Sequence, residues 1–144
     1  MGVEERCALL AEAEPDELRA LADACLADGA PVRVLVPPEV GCVSAQVREP
    51  VVGERFLLGD VLVSRPRWSS LDSAAGRCGW AVRMGDDRAA VLAAAVLDAE
   101  ANAGRPRAAE VDALCRRVAR RRVEALEREW AELAPTVVEF EELT

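Results

Sequence analysis

Carboxylates, cysteines and arginines are the only residues of this sequence that could do chemistry, because it contains neither histidine nor lysine. Without histidine, neither a Ser-His-Asp triad nor a Cys-His pair can be assembled from this chain alone. Without lysine there is no phosphate-loop lysine, no Schiff base and no lysine general base. We therefore expect no catalytic residue, cofactor site or metal site within this chain.

Aspartates at two turns and in one helix are the strongest acidic candidates. Asp86 and Asp87 are adjacent and could bind a metal ion with Asp60. A carboxylate just before a helix more often accepts from the N–H groups of its first turn, so we predict a cap there. Asp98 lies late in its helix, where the dipole disfavours a carboxylate. It therefore requires a partner, naturally an arginine, and we favour a structural pair over an interfacial one.

Five arginines crowd one helical stretch of an otherwise acidic protein, whose net charge is −8. Residues one helical turn apart lie on the same face, so like charges meet there. We predict a solvated face, and the alternative is a surface for an anion or an acidic partner. Arg122, the last arginine of the run, lies nearest to the apolar residues of this helix. The run consists of Arg116, Arg117, Arg120, Arg121 and Arg122.

The five cysteines indicate neither disulfides nor a zinc site. They are Cys7, Cys25, Cys42, Cys78 and Cys115, an odd number with no Cys-x-x-Cys pair. We expect reduced thiols that mostly serve as small buried side chains. A reactive Cys78 is the minority alternative.

Charge and hydropathy exclude several classes of partner. The negative net charge repels nucleic acid phosphates and anionic membrane surfaces. No apolar run reaches the roughly 20 residues that span a bilayer, and the charged start does not resemble a secretory signal. We expect a cytoplasmic protein that binds neither nucleic acid nor membrane.

The elements that must position these residues indicate one α+β domain. We expect a small antiparallel sheet of about four strands, packed by an N-terminal helical hairpin and two C-terminal helices. The tail alternates as a candidate strand. The predicted boundaries are 1–29 for the hairpin, 31–84 for the sheet, 86–134 for the helices and 136–144 for the extended tail.

Prolines and glycines set the predicted breaks. Pro37 and Pro38 should turn the chain between strands over 31–36 and 40–47, and Pro66 should end a strand over 61–65. A loop over 68–76 then precedes a fourth strand over 79–84. The helices are predicted over 4–13, from Pro15 to about Gly29, from about 87 to 102 and over 109–133. The apolar stripe of the last helix is predicted to run through Val111, Leu114, Cys115, Val118, Ala125, Leu126 and Leu133.

Short motifs in a fixed order carry a resemblance to a known family. They are Phe56-Leu-Leu-Gly-Asp60, the following Val-Ser-Arg65, Gly85-Asp-Asp-Arg88-Ala89 and Ala94-Ala-Val-Leu-Asp98-Ala99, with the tail Thr136-Val-Val-Glu-Phe140. The set resembles the G subunit (PhnG) of the carbon–phosphorus lyase core complex. That family has Phe-x-x-Gly-Glu, a strand ending in Thr-Arg, a Gly-Arg-Asp turn and an alanine-rich helix ending in Asp-Ala. Here Asp60 replaces Glu, Ser64 replaces Thr and Asp86 replaces Arg.

The resemblance implies a place in organic phosphonate catabolism. It implies that the chain works with the H, I and L subunits to transfer ribose triphosphate from MgATP to a phosphonate. The J subunit is a further expected partner, and the I subunit the most direct one. S-adenosylmethionine and an iron–sulfur cluster are expected in another subunit. The motif residues implied to hold the fold or an interface are Phe56, Gly59, Asp60, Arg65, Gly85, Asp87 and Asp98.

Two other functions remain open from the residues. One is a stand-alone acidic module whose arginine-rich helix face binds an anionic ligand or acidic partner. The other is a small enzyme that uses Cys78 or a carboxylate. An accessory or scaffolding subunit fits the lack of histidine and lysine best.

Overall fold

A computed structural model describes residues 1–28, 32–70 and 78–136 of the chain. In these ranges four helices accompany a small antiparallel sheet, which confirms the predicted α+β class. The elements are α1 (Val3–Glu12), α2 (Pro15–Ala27), β1 (Val32–Arg48), β2 (Arg55–Ser70), β3 (Cys78–Trp80), β4 (Arg83–Met84), α3 (Arg88–Asn102) and α4 (Ala108–Leu133), and a 3₁₀ turn spans Ala134–Thr136.

Helix α3 is the centre of the molecule. From Ala90 to Glu100 every residue except Leu92 is buried, so the helix is covered on nearly all sides. Its alanines have no long side chains, which lets neighbouring elements approach closely. β3 lies in close contact with α3 at Gly79, where a Cβ atom would lie 1.9 Å from the carbonyl oxygen of Ala95.

The remaining helices surround α3 with apolar stripes. Pro15 opens α2 at its first helical position, as predicted. Glu100 closes the connection from α3 to α4, because its carboxylate accepts from Arg105 Nε at 2.9 Å and from the backbone N–H of Arg107 at 3.1 Å. The core residues that α1, α2 and α4 contribute are Leu9, Leu10, Leu18, Ala22, Cys25, Val111, Leu114, Cys115 and Val118.

Strands β1 and β2 form one long antiparallel hairpin, which corrects two predicted breaks. The predicted turn at Pro37 and Pro38 is wrong, since β1 continues through both. Pro66 likewise does not end β2. The register places Val36 opposite Arg67 and Glu39 opposite Arg65, so the three prolines share one bulge. A bulge leaves backbone groups out of the ladder, and proline therefore costs little there.

The last part of the sheet is also shorter than predicted. The predicted strand over 79–84 divides into β3 and β4, which pair with different parts of β2. The predicted loop over 68–76 is wrong for its first three residues, because β2 includes Trp68, Ser69 and Ser70. Residues 71–77 lie outside the described ranges, as does the tail predicted as a strand from residue 137 onward.

Only the first half of α4 contributes to the core. Its predicted stripe holds as far as Val118, but Ala125, Leu126 and Leu133 are exposed. The apolar stripe is therefore buried only in the first half of the helix. Helical periodicity shows which residues share a face, but it does not show how far the neighbouring elements extend along that face.

Replacing Gly79 with alanine is expected to lower the free energy of unfolding by about 3 kcal/mol, because the added methyl group overlaps the backbone of α3. Urea unfolding followed by circular dichroism measures the change. Gly41→Ala is the matched control, since its Cβ would meet nothing within 4 Å, and it should change stability by less than about 1 kcal/mol. Equal small effects at both positions would contradict the close contact of β3 with α3.

Candidate functional site

A buried ion pair joins the start of the chain to its central helix. The guanidinium of Arg6 in α1 donates from Nε to Asp98 Oδ1 at 2.8 Å, and its Nη2 lies 2.7 Å from the same oxygen. Both side chains are almost completely buried. Asp98 thus has the arginine partner that the sequence predicts, and the pair lies inside the protein.

The second oxygen of Asp98 extends this pair into a network. Asp98 Oδ2 accepts from the backbone N–H of Trp80 at 3.0 Å and from Asn102 Nδ2 at 3.1 Å. Arg6 also donates to Asn102 Oδ1, and Asn102 Nδ2 donates to the carbonyl of Cys78 at 3.2 Å. Three elements, α1, β3 and α3, are therefore tied to one carboxylate. We call Arg6, Asp98, Asn102 and the backbone of β3 the Asp98 network.

Asp87 caps α3, as the sequence predicts. Its Oδ1 accepts from the backbone N–H of Ala90 at 2.9 Å, and its Oδ2 accepts from Arg19 at 2.6 Å. The N–H of Ala90, together with the nearby Arg19 guanidinium, holds the pKa of Asp87 below its ordinary value. Asp87 thus links α2 to the start of α3.

The turn at Gly85 joins β4 to the base of the hairpin. Gly85 has φ +88°, a conformation that favours glycine. Its N–H donates to the carbonyl of Leu62 at 2.9 Å, and its carbonyl accepts from the buried Ser64 hydroxyl at 2.6 Å. The hydroxyl that the family motif places in this strand therefore fixes the turn that leads to Asp87.

Beyond this base most side chains of the hairpin are exposed to solvent. We call residues 39–62 the β arm. Phe56 pairs with Val47 across the strands and is half exposed. Gly59 has φ +144° beside a bulge that leaves Leu58 without an opposite residue. Asp60 is exposed and accepts from the Ser44 hydroxyl at 2.8 Å. These three motif positions lie far along the chain from Asp87 and Asp98 and shape the arm.

Both faces of the β arm present apolar side chains. Residues directly opposite in the ladder share a face, so Phe56 lies with Val43 and Val47. Leu57 and Leu62 lie on the other face. All five are more than one-third exposed, and Leu58 at the bulge is 65% exposed. Contiguous exposed apolar surface of this kind typically marks an interaction site.

The tip of the β arm is an ordered turn that presents two valines. The carboxylate of Glu49 accepts from the backbone N–H groups of Val51 and Val52, at 2.7 and 2.5 Å. These two N–H groups hold the pKa of Glu49 below its ordinary value. Val51 is 89% exposed and Val52 is 77% exposed. The tip is therefore fixed in shape while its apolar side chains face outward.

Arg65 lies at the base of the arm, opposite Glu39. Among the described residues, Arg65 makes no salt bridge within 4.0 Å. Its side chain borders a shallow depression of about 130 Å³ around Gly41, with Val43 and Val63 alongside.

The arginine run is partly neutralised by the N-terminal helices. Arg117 and Arg121 both pair with Glu17, at 3.4 and 2.7 Å, and Arg122 pairs with Glu12 at 3.3 Å. The partners come from α1 and α2. Hydrogen bonds from Arg121 and Arg117 outweigh desolvation and lower the pKa of Glu17. Arg116 and Arg120 are exposed and make no such pair within the described ranges.

The cysteines and the acidic clusters are the remaining candidates for chemistry among the described residues. All five cysteines lie within the described ranges and form no disulfide, but only Cys25 and Cys115 are buried. Burial raises the pKa of Cys7, Cys25 and Cys115 to about 11, which makes their thiolates scarce at neutral pH. Over residues 1–28, 32–70 and 78–136, no group of three or more acidic, cysteine or histidine residues could hold a metal ion.

Sequence reasoning missed two positioning arginines. Arg6 shares the buried helical stripe of Leu9, Leu10 and Ala13, and that spacing was a usable signal. Arg83 donates to the carbonyl of Leu10 at 2.7 Å and thus holds the end of α1 against β4. Burial lowers the pKa of Arg83. A carbonyl acceptor leaves no pattern in the sequence, so this second contact could not have been predicted.

Comparison with known protein families gives a match over nearly the whole chain. The model of the family described as phosphonate metabolism protein PhnG matches residues 4–144, nearly the whole chain. No curated protein matches the chain significantly. In the part of the chain that the structure describes, no helix is both long enough and apolar enough to cross a membrane.

Replacing Asp98 with asparagine is expected to lower the free energy of unfolding by about 3–5 kcal/mol, because the charge of Arg6 is left buried without a counterion. Chemical unfolding measures this loss of stability. The control is Asp16→Asn, which removes an exposed pair with Arg19 and should cost less than about 1 kcal/mol. Adding Arg6→Met to Asp98→Asn should cost much less than Arg6→Met alone. Strictly additive costs would contradict the network.

Replacing Asp87 with alanine is expected to cost about 1 kcal/mol at neutral pH through the lost cap. The folded-state pKa of Asp87 is depressed, so this stability is present above the unfolded pKa of about 3.9 and is lost as pH falls through the folded value. The difference between wild type and variant should therefore shrink in acid unfolding experiments. Asp86→Ala is the control, and a pH-independent difference would argue against the ionised cap.

Proposed function

The chain belongs to the PhnG family of phosphonate metabolism proteins, and on that premise we propose that it is an accessory subunit that docks other subunits through its β arm. The exposed apolar faces and ordered tip of the arm support this function best. A protein that stayed alone would expose this surface to water and to aggregation. The chain itself contributes surface and shape, while the chemistry belongs to its partners.

The free edge of β1 supports docking by strand addition. β1 is the outer strand of the sheet, so its outer backbone groups have no neighbouring strand among the described elements. Edge strands are usually protected by charges or proline. Between Glu39 and Arg48 the sequence has neither, and reads Val-Gly-Cys-Val-Ser-Ala-Gln-Val. A partner segment could pair there and place its side chains on the apolar faces.

The tip of the β arm is ordered before any partner binds, which supports docking through the arm. The Glu49 carboxylate fixes the tip, and Gly53, at φ +75°, donates to the carbonyl of Glu49 at 3.0 Å. A segment that is already ordered loses less entropy on binding than a flexible loop. Val51 and Val52 are thus presented as a fixed apolar point for a pocket on the partner.

The finer role we propose follows the family. The partners are the H, I, J and L subunits of the carbon–phosphorus lyase system, with the I subunit bound most directly, in the cytoplasm. With the H, I and L subunits the chain is required for transfer of ribose triphosphate from MgATP to a phosphonate. MgATP acts in the complex, and S-adenosylmethionine and an iron–sulfur cluster act in another subunit. Family membership supports this role, as does the absence of histidine and lysine here.

Co-expression with the I subunit of the same genome tests the proposal. Wild type is expected to co-elute with that subunit, and Leu58→Glu is expected to weaken binding at least about tenfold by placing a charge on the docking surface. The control, Leu26→Glu, changes an exposed leucine of α2 and should bind normally. Size-exclusion chromatography and titration measure both.

Assembly and turnover must be separated in the same experiment. Asp60→Ala and Arg65→Ala are expected to reduce complex formation while leaving turnover per assembled complex unchanged, because both side chains lie at the docking surface. Normal assembly with lost turnover would contradict an accessory role and indicate chemistry within this chain. Normal assembly of Leu58→Glu would contradict docking through the arm.

A further inference from the structure

The second half of α4 extends beyond the core with every side exposed. From Arg120 to Leu133 no residue is buried or half-buried. We propose that residues 116–133 of α4, which comprise this exposed part and the turn that precedes it, pair in antiparallel fashion with the same residues of a second copy of the chain. The pairing does not depend on the β arm or on the proposed function, because it uses a different surface.

The exposed segment carries the spacing of a coiled-coil seam. Val123, Leu126, Trp130 and Leu133 follow one another at intervals of three, four and three residues. These four side chains are 49–66% exposed. At 100° per residue, their stripe is turned by about 90° from the buried face centred on Val111 and Val118. The stripe is therefore a second face, which the core of the same chain does not cover.

The charges beside the stripe favour a second copy as the occupant. The first part of the segment, residues 116–122, contains five arginines and no acidic residue. The second part, residues 124–132, contains four glutamates and one arginine. Parallel pairing of two such helices would place like charges together. Antiparallel pairing places each basic part opposite the acidic part of the other copy and also opposes the two helix dipoles.

One register satisfies both the apolar and the charged positions. With Val123 opposite Leu126 of the second copy, Ala119 lies opposite Trp130. In this register the flanking positions match Arg120 with Glu127 and Arg122 with Glu129 of the second copy. Two-fold symmetry repeats both pairs, which gives four complementary contacts. A shift of one heptad that places Leu126 opposite Trp130 instead sets glutamates against glutamates.

The salt bridges within one chain do not prevent this pairing. Arg120 has no salt bridge within the described ranges, and Arg122 reaches Glu12 only at 3.3 Å in an exposed pair. Exposed pairs of this kind contribute less than about 1 kcal/mol, so Arg122 can exchange its partner at small cost. The overlap of 18 residues spans roughly 27 Å, which indicates a dimer of moderate, about micromolar affinity.

Charge-swapped full-length chains test the pairing. Wild type is expected to change from monomer to dimer as its concentration rises over roughly 1–100 μM in analytical ultracentrifugation. The variant Arg120→Glu/Arg122→Glu carries only acidic flanks, and the variant Glu127→Arg/Glu129→Arg only basic ones. Each variant alone should dimerise at least about tenfold more weakly, and their equimolar mixture should form a mixed dimer. Trp130→Ala should weaken the wild-type dimer similarly.

Several results would overturn the proposal. They are a wild-type chain that stays monomeric over the whole range, charge variants that dimerise as wild type does, or a mixture that fails to restore the dimer. Thermal unfolding serves as the fold control, because all substituted side chains are exposed and should leave the melting temperature nearly unchanged. A dimer that is lost in Leu58→Glu but kept in the charge variants would place the contact on the β arm and also refute the pairing of α4.

Discussion

The structure depends on one buried carboxylate, that of Asp98, and on the arginine that neutralises it. A carboxylate late in a helix and away from water is costly unless several donors surround it. Here Arg6, the N–H of Trp80 and Asn102 all donate to it. Because these donors come from α1, β3 and α3, meeting the requirements of one charge also fixes the packing of three elements. The small side chains of α3 and the absence of a side chain at Gly79 let β3 approach α3 closely enough for these hydrogen bonds to form.

The core that results is small and leaves much of the molecule outside it. The buried cluster comes from α1, α2, α3, the first half of α4 and a few sheet positions. The β arm and the second half of α4 extend beyond it, and both carry apolar side chains that are exposed in the described structure. Under the proposed function, assembly with partner subunits supplies the remaining burial. The fold and the proposed function thus share one physical cause.

Local patterns in the sequence predicted the helices well and the sheet poorly. Pro15, Asp87 and the break after Asn102 set helix ends through short-range chemistry, and the structure places those ends within one or two residues of the predictions. The strand breaks at Pro37 and Pro66 were wrong because a shared bulge between two strands accommodates them, and that pairing is not local. The need of Asp98 for an arginine was predictable, but only the fold shows that Arg6, 92 positions away, supplies it. Leu126 is exposed because the core ends before it along α4, and the sequence pattern does not show where the core ends.

Hydrogen–deuterium exchange, measured on the chain alone and bound to the I subunit, tests the central account most directly. The Asp98 network and α3 should be protected in both states, because they belong to the core. Within residues 39–48, the N–H groups that point to the free edge of β1 should exchange quickly in the isolated chain and slowly in the complex. Unchanged exchange over 39–48, with new protection elsewhere, would show that the β arm is not the docking surface and would contradict the account.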